Sequence, residues 1–99
     1  MSLIYHIVLS ANWLAFEDQP NYEAASLQTE GFIHLSQKEQ VAQTLSRYYQ
    51  DVPNLLLLHV DTTKLTHPLK YEPSTNNELF PHLYGPLNKD AIVRIEALN

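Results

Sequence analysis

Five histidines are the residues of this sequence with the greatest capacity for chemistry, because an imidazole can donate, accept or transfer a proton near neutral pH. They are His6, His34, His59, His67 and His82, in a chain of 99 residues that has no cysteine. The lack of cysteine excludes disulfides, thiolate zinc sites and cysteine nucleophiles. The polar chemistry of this chain therefore rests on imidazole, hydroxyl and carboxylate groups.

Two of these histidines lie in segments that are predicted to be strands. In the run Leu3–Leu9, a period of two places His6 on the same face as Ile4 and Val8. His34 follows the same pattern in a second short apolar run. Each has two open interpretations, a core imidazole whose nitrogens bond to buried groups or a contact on the floor of a ligand cleft. In the second case His6 and His34 are candidate catalytic residues.

A third histidine is held between prolines. His82 and Tyr84 share one side of an extended segment that Pro81 and Pro86 stiffen. This segment either presents a rigid pair to a ligand or forms a structural turn in which Tyr84 packs. Glu72 ends a short strand beside a polar loop, so it is either a carboxylate that works with an imidazole as acid or base, or an ordinary surface charge.

Ser36 opens the main predicted helix. Ser36 and Glu39 have the spacing of a capping box, in which the serine hydroxyl caps the helix and the glutamate reaches back. The backbone N–H groups of a helix start also favour an anion, so either a phosphate docks at Ser36 or the serine is a helix cap only. Trp13 is an aromatic candidate for stacking on a ligand base.

Several functional classes are disfavoured by what the sequence lacks. The net charge of -5 argues against a nucleic-acid surface, which needs many cations. No histidine spacing typical of a metal site occurs, and two glycines cannot form the phosphate-binding glycine motifs. We find no signal peptide and no apolar run long enough to span a membrane. These observations predict a cytoplasmic protein with no metal.

The elements that must position these residues indicate an α+β fold in one domain over residues 1–99. Strands are predicted at Leu3–Leu9, Phe32–Leu35, Leu55–Val60, Leu69–Glu72 and Ala91–Leu98. The main helix carries Val41, Leu45, Tyr48 and Tyr49 on one apolar stripe, and shorter helical turns are predicted after Ser10 and over Ser26–Gly31. We expect a mixed or antiparallel sheet against this helix, with Ala91, Val93 and Ile95 facing inward.

A family resemblance emerges from the order and spacing of several motifs. They are Ile4-Tyr5-His6-Ile7, Trp13, Ser26-Leu27, Glu30-Gly31-Phe32-Ile33-His34-Leu35-Ser36, Glu72 and Phe80-Pro81-His82-Leu83-Tyr84-Gly85-Pro86-Leu87. Together they resemble the small bacterial proteins grouped as the domain of unknown function 952 family, over nearly the whole chain.

A more distant resemblance carries more chemistry. Tyr5-His6, the turn at Glu30-Gly31, His34-Leu35-Ser36 and the run Leu56–Asp61 look like the catalytic lobe of RNA 2'-phosphotransferases, which have the ADP-ribosyltransferase-like fold. The resemblance implies that His6 contacts the ribose of NAD. It also implies that His34 and Ser36 line the nicotinamide side and that Glu72 orients the reacting ribose.

Two functions from different classes follow from these observations. The first is an ADP-ribosyltransferase-like enzyme that binds NAD or another nucleotide in a cleft lined by His6, His34, Ser36, Glu72, His82 and Tyr84. In that version Trp13 or Tyr84 stacks on the base and Glu72 offsets positive charge that develops on the ribose. The second is a non-catalytic module that uses the same cleft to bind a small ligand or a protein. The sequence leaves the oligomeric state open.

Overall fold

The computed structural model describes residues 2–99 and shows short strands arranged around one main helix. The strands are β1 (Leu3–Leu9), β2 (Asn21–Tyr22), β3 (Ile33–His34), β4 (Leu55–Asp61), β5 (Leu69–Pro73), β6 (Leu79–Leu83), β7 (Leu87–Asn88) and β8 (Ile92–Ala97). The helices are α1 (Ser10–Leu14), α2 (Ser26–Thr29) and α3 (Val41–Tyr48). Single 3-10 turns cover Lys38–Gln40, Thr62–Lys64, Thr75–Asn77 and Lys89–Ala91.

The strands form three small antiparallel sheets, with the orders β1-β4-β8, β3-β6-β5 and β2-β7. A two-bond bridge between Tyr5 and Ser36 joins the edge strand β1 to the chain that follows β3. This bridge brings the first two sheets together along one seam. The α+β prediction with antiparallel strands and one main helix is confirmed.

The core has two parts because β4 is covered on both faces, as its continuous apolar run predicts. One face of β1 and β4 packs with β3, β6 and β7 in a cluster that includes Ile4, Val8, Ile33, Leu58, Val60, Leu83 and Leu87. The other face, with Tyr5, Ile7, Leu55 and Leu57, packs against Val41, Leu45 and Tyr49 of the α3 segment. The seam between the sheets therefore lies between two packed layers and is held rigidly.

The predicted helix caps are wrong in detail. The capping interaction before α3 begins one residue later than predicted, where the Gln37 N–H donates to Gln40 Oε1 at 2.9 Å. Ser36 cannot cap because its own N–H and carbonyl both pair with Tyr5. The hydroxyls of Ser10 and Ser26 donate to the carbonyls of Asn54 and Phe32, so they do not cap α1 and α2 either. In each case a contact with another part of the chain replaces the predicted capping interaction of the serine.

The inward face predicted for the last strand is also wrong for two residues. Val93 is 43% exposed and Ile95 is 47% exposed, while Ala91 is buried in the turn before β8. The pairing of β8 with β4 contains a bulge between His59 and Val60, and an extra residue in a strand shifts its side-chain alternation. In addition, β8 is an edge strand, and no strand in the described residues 2–99 pairs with its far side.

The longest helix in residues 2–99 is α3, with eight residues. No helix in this part of the chain has the length and apolar character needed to cross a membrane.

Candidate functional site

A cleft of about 520 Å³ opens along the seam between the two larger sheets. Its floor is formed by β1, and its walls by the Ala24–Ser26 segment, by the chain from His34 to Ser36 and by α3. The Ser74–Thr75 loop and Phe80 complete the lining. Volumes of this order are typical of small-molecule sites.

His6 lies on the cleft floor and is 7% exposed. Its Nδ1 is 2.7 Å from the carbonyl of His34, and a carbonyl can only accept, so the proton is on Nδ1. Nε2 then accepts from the hydroxyl of Tyr22 at 2.9 Å. Burial lowers the pKa of His6 to about 4. The imidazole is therefore neutral at physiological pH, with each nitrogen bonded to the protein.

His34 forms part of the cleft wall and is accessible, with 47% of its side chain exposed. Its Nε2 is 2.9 Å from Oε2 of Glu30, one helical turn earlier in sequence. Gly31 follows Glu30 with a φ of +87°, a conformation that favours glycine and lets α2 end and β3 begin at once. The turn thus places a carboxylate beside an exposed imidazole at the edge of the cleft.

Ser36 also lines the cleft, although it is not a helix cap. Its hydroxyl is 3.4 Å from Oγ1 of Thr44, which itself donates to the carbonyl of Gln40 at 2.9 Å. Because the bridge to Tyr5 fixes the Ser36 backbone, the hydroxyl has a set position with hydrogen-bonding capacity left over. Ser36 and Thr44 therefore offer two adjacent hydroxyl groups to a ligand.

Glu72, His82 and Tyr84 form a second polar group, which lies outside the cleft lining. One carboxylate oxygen, Oε1 of Glu72, accepts from His82 Nδ1 at 2.9 Å and from the Tyr84 hydroxyl at 2.5 Å. The bonds from Tyr84 and His82 hold the pKa of the Glu72 carboxyl below its usual value. The same carboxylate raises the pKa of the Tyr84 hydroxyl. Lys70 lies over the Tyr84 ring, 4.9 Å from its centroid.

The second nitrogen of His82 has no hydrogen-bond partner within residues 2–99, although the residue is only 4% exposed. The other ring nitrogen, Nδ1, is bonded to Glu72 of β5. Phe32 stacks on the ring at 4.1 Å, and the ring of His34 stands edge-on at 5.2 Å. A buried ring nitrogen without a hydrogen-bond partner therefore belongs to the residue packed beside His34 of the cleft wall.

The predicted site residues therefore fall into two groups that meet at His34 and His82. His6, His34 and Ser36 lie together on the cleft, while Glu72, His82 and Tyr84 lie behind it.

Trp13 is in neither group. It packs on Tyr22, with ring centroids 5.6 Å apart, and lies under Lys89. Trp13 is part of α1, and its contacts place it against the core.

Several lining residues were not identified from the sequence. Glu30 precedes His34 by four residues, a spacing that could have signalled the pair. Tyr22, Thr44, Tyr48 and Thr75 gave no such signal, because their position on the cleft depends on contacts distant in sequence. Tyr48 and Thr75, for example, share a 2.8 Å hydroxyl–hydroxyl contact across 27 residues.

Known proteins resemble this chain both in sequence and in structure. Residues 7–95 match a family described as a protein of unknown function, DUF952. The crystal structure of protein CC0527 from Caulobacter crescentus is similar, with a TM-score of 0.90 and 38% identity over 99% of this chain and 87% of that chain. The solution structure of CC0527 gives a TM-score of 0.85 and 39% identity over 100% of this chain and 86% of that chain.

Among curated proteins, none matches the chain significantly. The similar structures do not support the likeness to ADP-ribosyltransferases. The family profile, by contrast, matches residues 7–95, which include the cleft walls and the His82 segment but not His6. This chain therefore belongs to the DUF952 family of proteins of unknown function.

Proposed function

We propose that this protein binds a small uncharged molecule that has a ring and hydroxyl groups, such as a nucleoside, in the cleft at the sheet seam. The observation that carries the proposal is the chemistry of the lining. Tyrosine rings and hydroxyl groups surround two imidazoles and one carboxylate, and no lysine or arginine lines the cleft within residues 2–99. A site with this composition suits stacking and neutral hydrogen bonds.

The polar groups of the cleft are placed for such a ligand. Ser36 and Thr44 present neighbouring hydroxyls, and Tyr48, one turn after Thr44 on α3, pairs with Thr75. His34 adds an exposed imidazole that is bonded to Glu30. A ring lying among the tyrosines would leave its hydroxyl substituents within reach of these groups.

The same lining fits a phosphorylated ligand poorly. The phosphates of NAD need cationic partners or a well-formed helix start, but no lysine or arginine lines the cleft within residues 2–99, and α2, which begins at the cleft wall, has only four residues. The carboxylate nearest the cleft, Glu30, would repel them. The residues present therefore fit the nucleoside portion of such a molecule and do not fit its pyrophosphate.

The arrangement of the predicted catalytic residues also favours binding over ribosyl transfer. Glu72 is engaged by His82 and Tyr84 and does not line the cleft. His6 has both ring nitrogens bonded to protein groups. Neither residue is free to act on a ribose in the cleft, so the non-catalytic module agrees better with the geometry.

Titration of the labelled protein with adenosine, AMP and NAD, followed by two-dimensional NMR, tests the proposal. We expect adenosine to shift the amides of β1, Ser36 and α3, and AMP and NAD to bind more weakly. In Ser36→Ala the dissociation constant for adenosine should rise roughly tenfold, the value of one lost hydrogen bond. Ser46→Ala, an exposed change on α3 outside the cleft, is the matched control.

Two outcomes would overturn the proposal. One is the absence of amide shifts with adenosine and other nucleosides at millimolar concentration. The other is release of nicotinamide from NAD by the protein, seen in proton spectra, since that would show cleavage of the glycosidic bond, by transfer or hydrolysis, in place of simple binding.

A further inference from the structure

The outer edge of β8 is a free backbone edge with a defined hydrogen-bonding pattern. The N–H of Leu98 bonds to the carbonyl of Leu55 at 2.9 Å, so residue 98 directs its backbone groups toward β4. Alternation along an antiparallel strand gives Glu96 the same direction. The backbone groups of Ile95 and Ala97 therefore point away from β4, where no other strand in residues 2–99 pairs with them.

The side chains of this edge strand are also incompletely covered. Val93 and Ile95 are about half exposed, although both are strongly apolar. Arg94 and Glu96 alternate with Ile95 and so lie on the opposite face of the strand. A bare edge with exposed apolar residues is a surface on which another strand can pair.

We propose that β8 pairs with β8 of a second copy of this chain, antiparallel and centred on Ile95. The N–H of each Ile95 then donates to the carbonyl of the partner's Ile95 across the two-fold axis. The three-stranded sheets of the two copies join into one continuous sheet, in the strand order β1-β4-β8-β8-β4-β1. Such an interface is isologous, since both copies contribute the same residues.

Charge complementarity selects this register over its neighbours. In the dimer, a residue whose backbone groups point away from β4 must lie opposite a residue of the partner with the same backbone direction. Such residues are two apart in sequence, so the two-fold axis of a symmetric pair passes through one residue position. A centre on Arg94 would place two arginines opposite each other, and a centre on Glu96 would place two carboxylates opposite each other. A centre on Ile95 places Arg94 opposite the partner's Glu96, twice in the dimer, at a distance where cross-strand pairs interact.

Charge reversal tests the register. Sedimentation equilibrium of the intact chain from about 1 μM to about 1 mM should show a concentration-dependent dimer. Arg94→Glu should raise the dimer dissociation constant at least about tenfold, because two attractive pairs become repulsive. The double variant Arg94→Glu with Glu96→Arg should restore dimerisation. A wild-type chain that stays monomeric over this range, or a double variant that fails to recover while folded, overturns the proposal.

Disulfide trapping gives a second readout that does not depend on charge. The chain has no native cysteine, so Ile95→Cys introduces one thiol per copy. Residues directly opposite in a hydrogen-bonded antiparallel pair have Cα atoms about 5.5 Å apart, which suits a disulfide. Mild oxidation should convert folded Ile95→Cys into a covalent dimer faster than Glu39→Cys, an exposed control before α3. Equal rates for the two variants would contradict the pairing.

Discussion

Replacing His6 with glutamine should remove a large part of the acid sensitivity of this fold. Above pH 6.5 the imidazole is neutral in both the folded and the unfolded chain. Below that value the unfolded chain binds a proton that the buried His6 rejects until about pH 4, so acid favours unfolding. Each pH unit in this window is worth about 1.4 kcal/mol, so the free energy of unfolding falls by about 3 kcal/mol between pH 6.5 and pH 4.

Glutamine suits this test because its amide can donate to the His34 carbonyl and accept from Tyr22, as His6 does. Urea unfolding at pH 7 and pH 5, followed by the fluorescence of Trp13, measures the free energy of unfolding. Between these pH values the wild type should lose about 2 kcal/mol more than His6→Gln. His67→Gln, which changes a partly exposed histidine, should behave as the wild type does.

Comparing wild type and variant at each pH isolates His6 from the carboxyl groups. Glu72 and Asp61 have lowered pKa values, so their stabilisation also declines in acid, but equally in both proteins. If His6→Gln lost as much stability as the wild type between pH 7 and pH 5, the imidazole would not be buried and neutral as described. A protonated His6 in the folded protein at pH 5, seen by NMR, would give the same refutation.

Three further predictions concern the core, a turn and the second polar group. Leu58→Ala removes a fully buried side chain of β4 and should cost about 2–5 kcal/mol in chemical unfolding, with a smaller loss indicating that the site collapses. Gly85→Ala places a Cβ 2.3 Å from Cγ of His67, at a φ of +154° that side chains rarely adopt, so it should lower the thermal unfolding temperature. Adding His67→Ala to that variant should recover part of the loss. Glu72→Gln should lower the pKa of the Tyr84 hydroxyl toward its ordinary value, which an absorbance titration of the phenolate measures; an unchanged titration would show that the carboxylate does not hold that hydroxyl.

Local patterns were enough to predict much of the framework. The bounds of β1 agree with the Leu3–Leu9 run, and the continuous apolar run that begins at Leu55 forms the central strand β4. These predictions succeed because side-chain alternation and apolar runs are properties of adjacent residues. Gly31 also marks the end of α2 correctly, because the positive φ that often follows the last residue of a helix favours glycine at that one position.

Predictions that depended on competition between contacts were less successful. Ser36 has the right spacing to cap a helix, but its backbone pairs with Tyr5 instead, 31 residues earlier. Ile95 alternates with Arg94 as an inward residue should, but it lies on an edge strand with no neighbour over it. In each case the local pattern is visible in the sequence, but the distant contact that overrides it, or the lack of a covering neighbour, is not.

The sequence by itself determined that three histidines stand on rigid, extended supports and that their chemistry would be that of imidazole, hydroxyl and carboxylate groups. Only the tertiary structure decided how they differ. His6 is held by groups 28 and 16 residues away, His34 is open to the cleft, and His82 keeps one unpaired nitrogen behind the cleft wall. The physical reason is that burial and hydrogen-bond partners of an imidazole arise where distant strands meet, whereas its placement on a strand is set by its immediate neighbours.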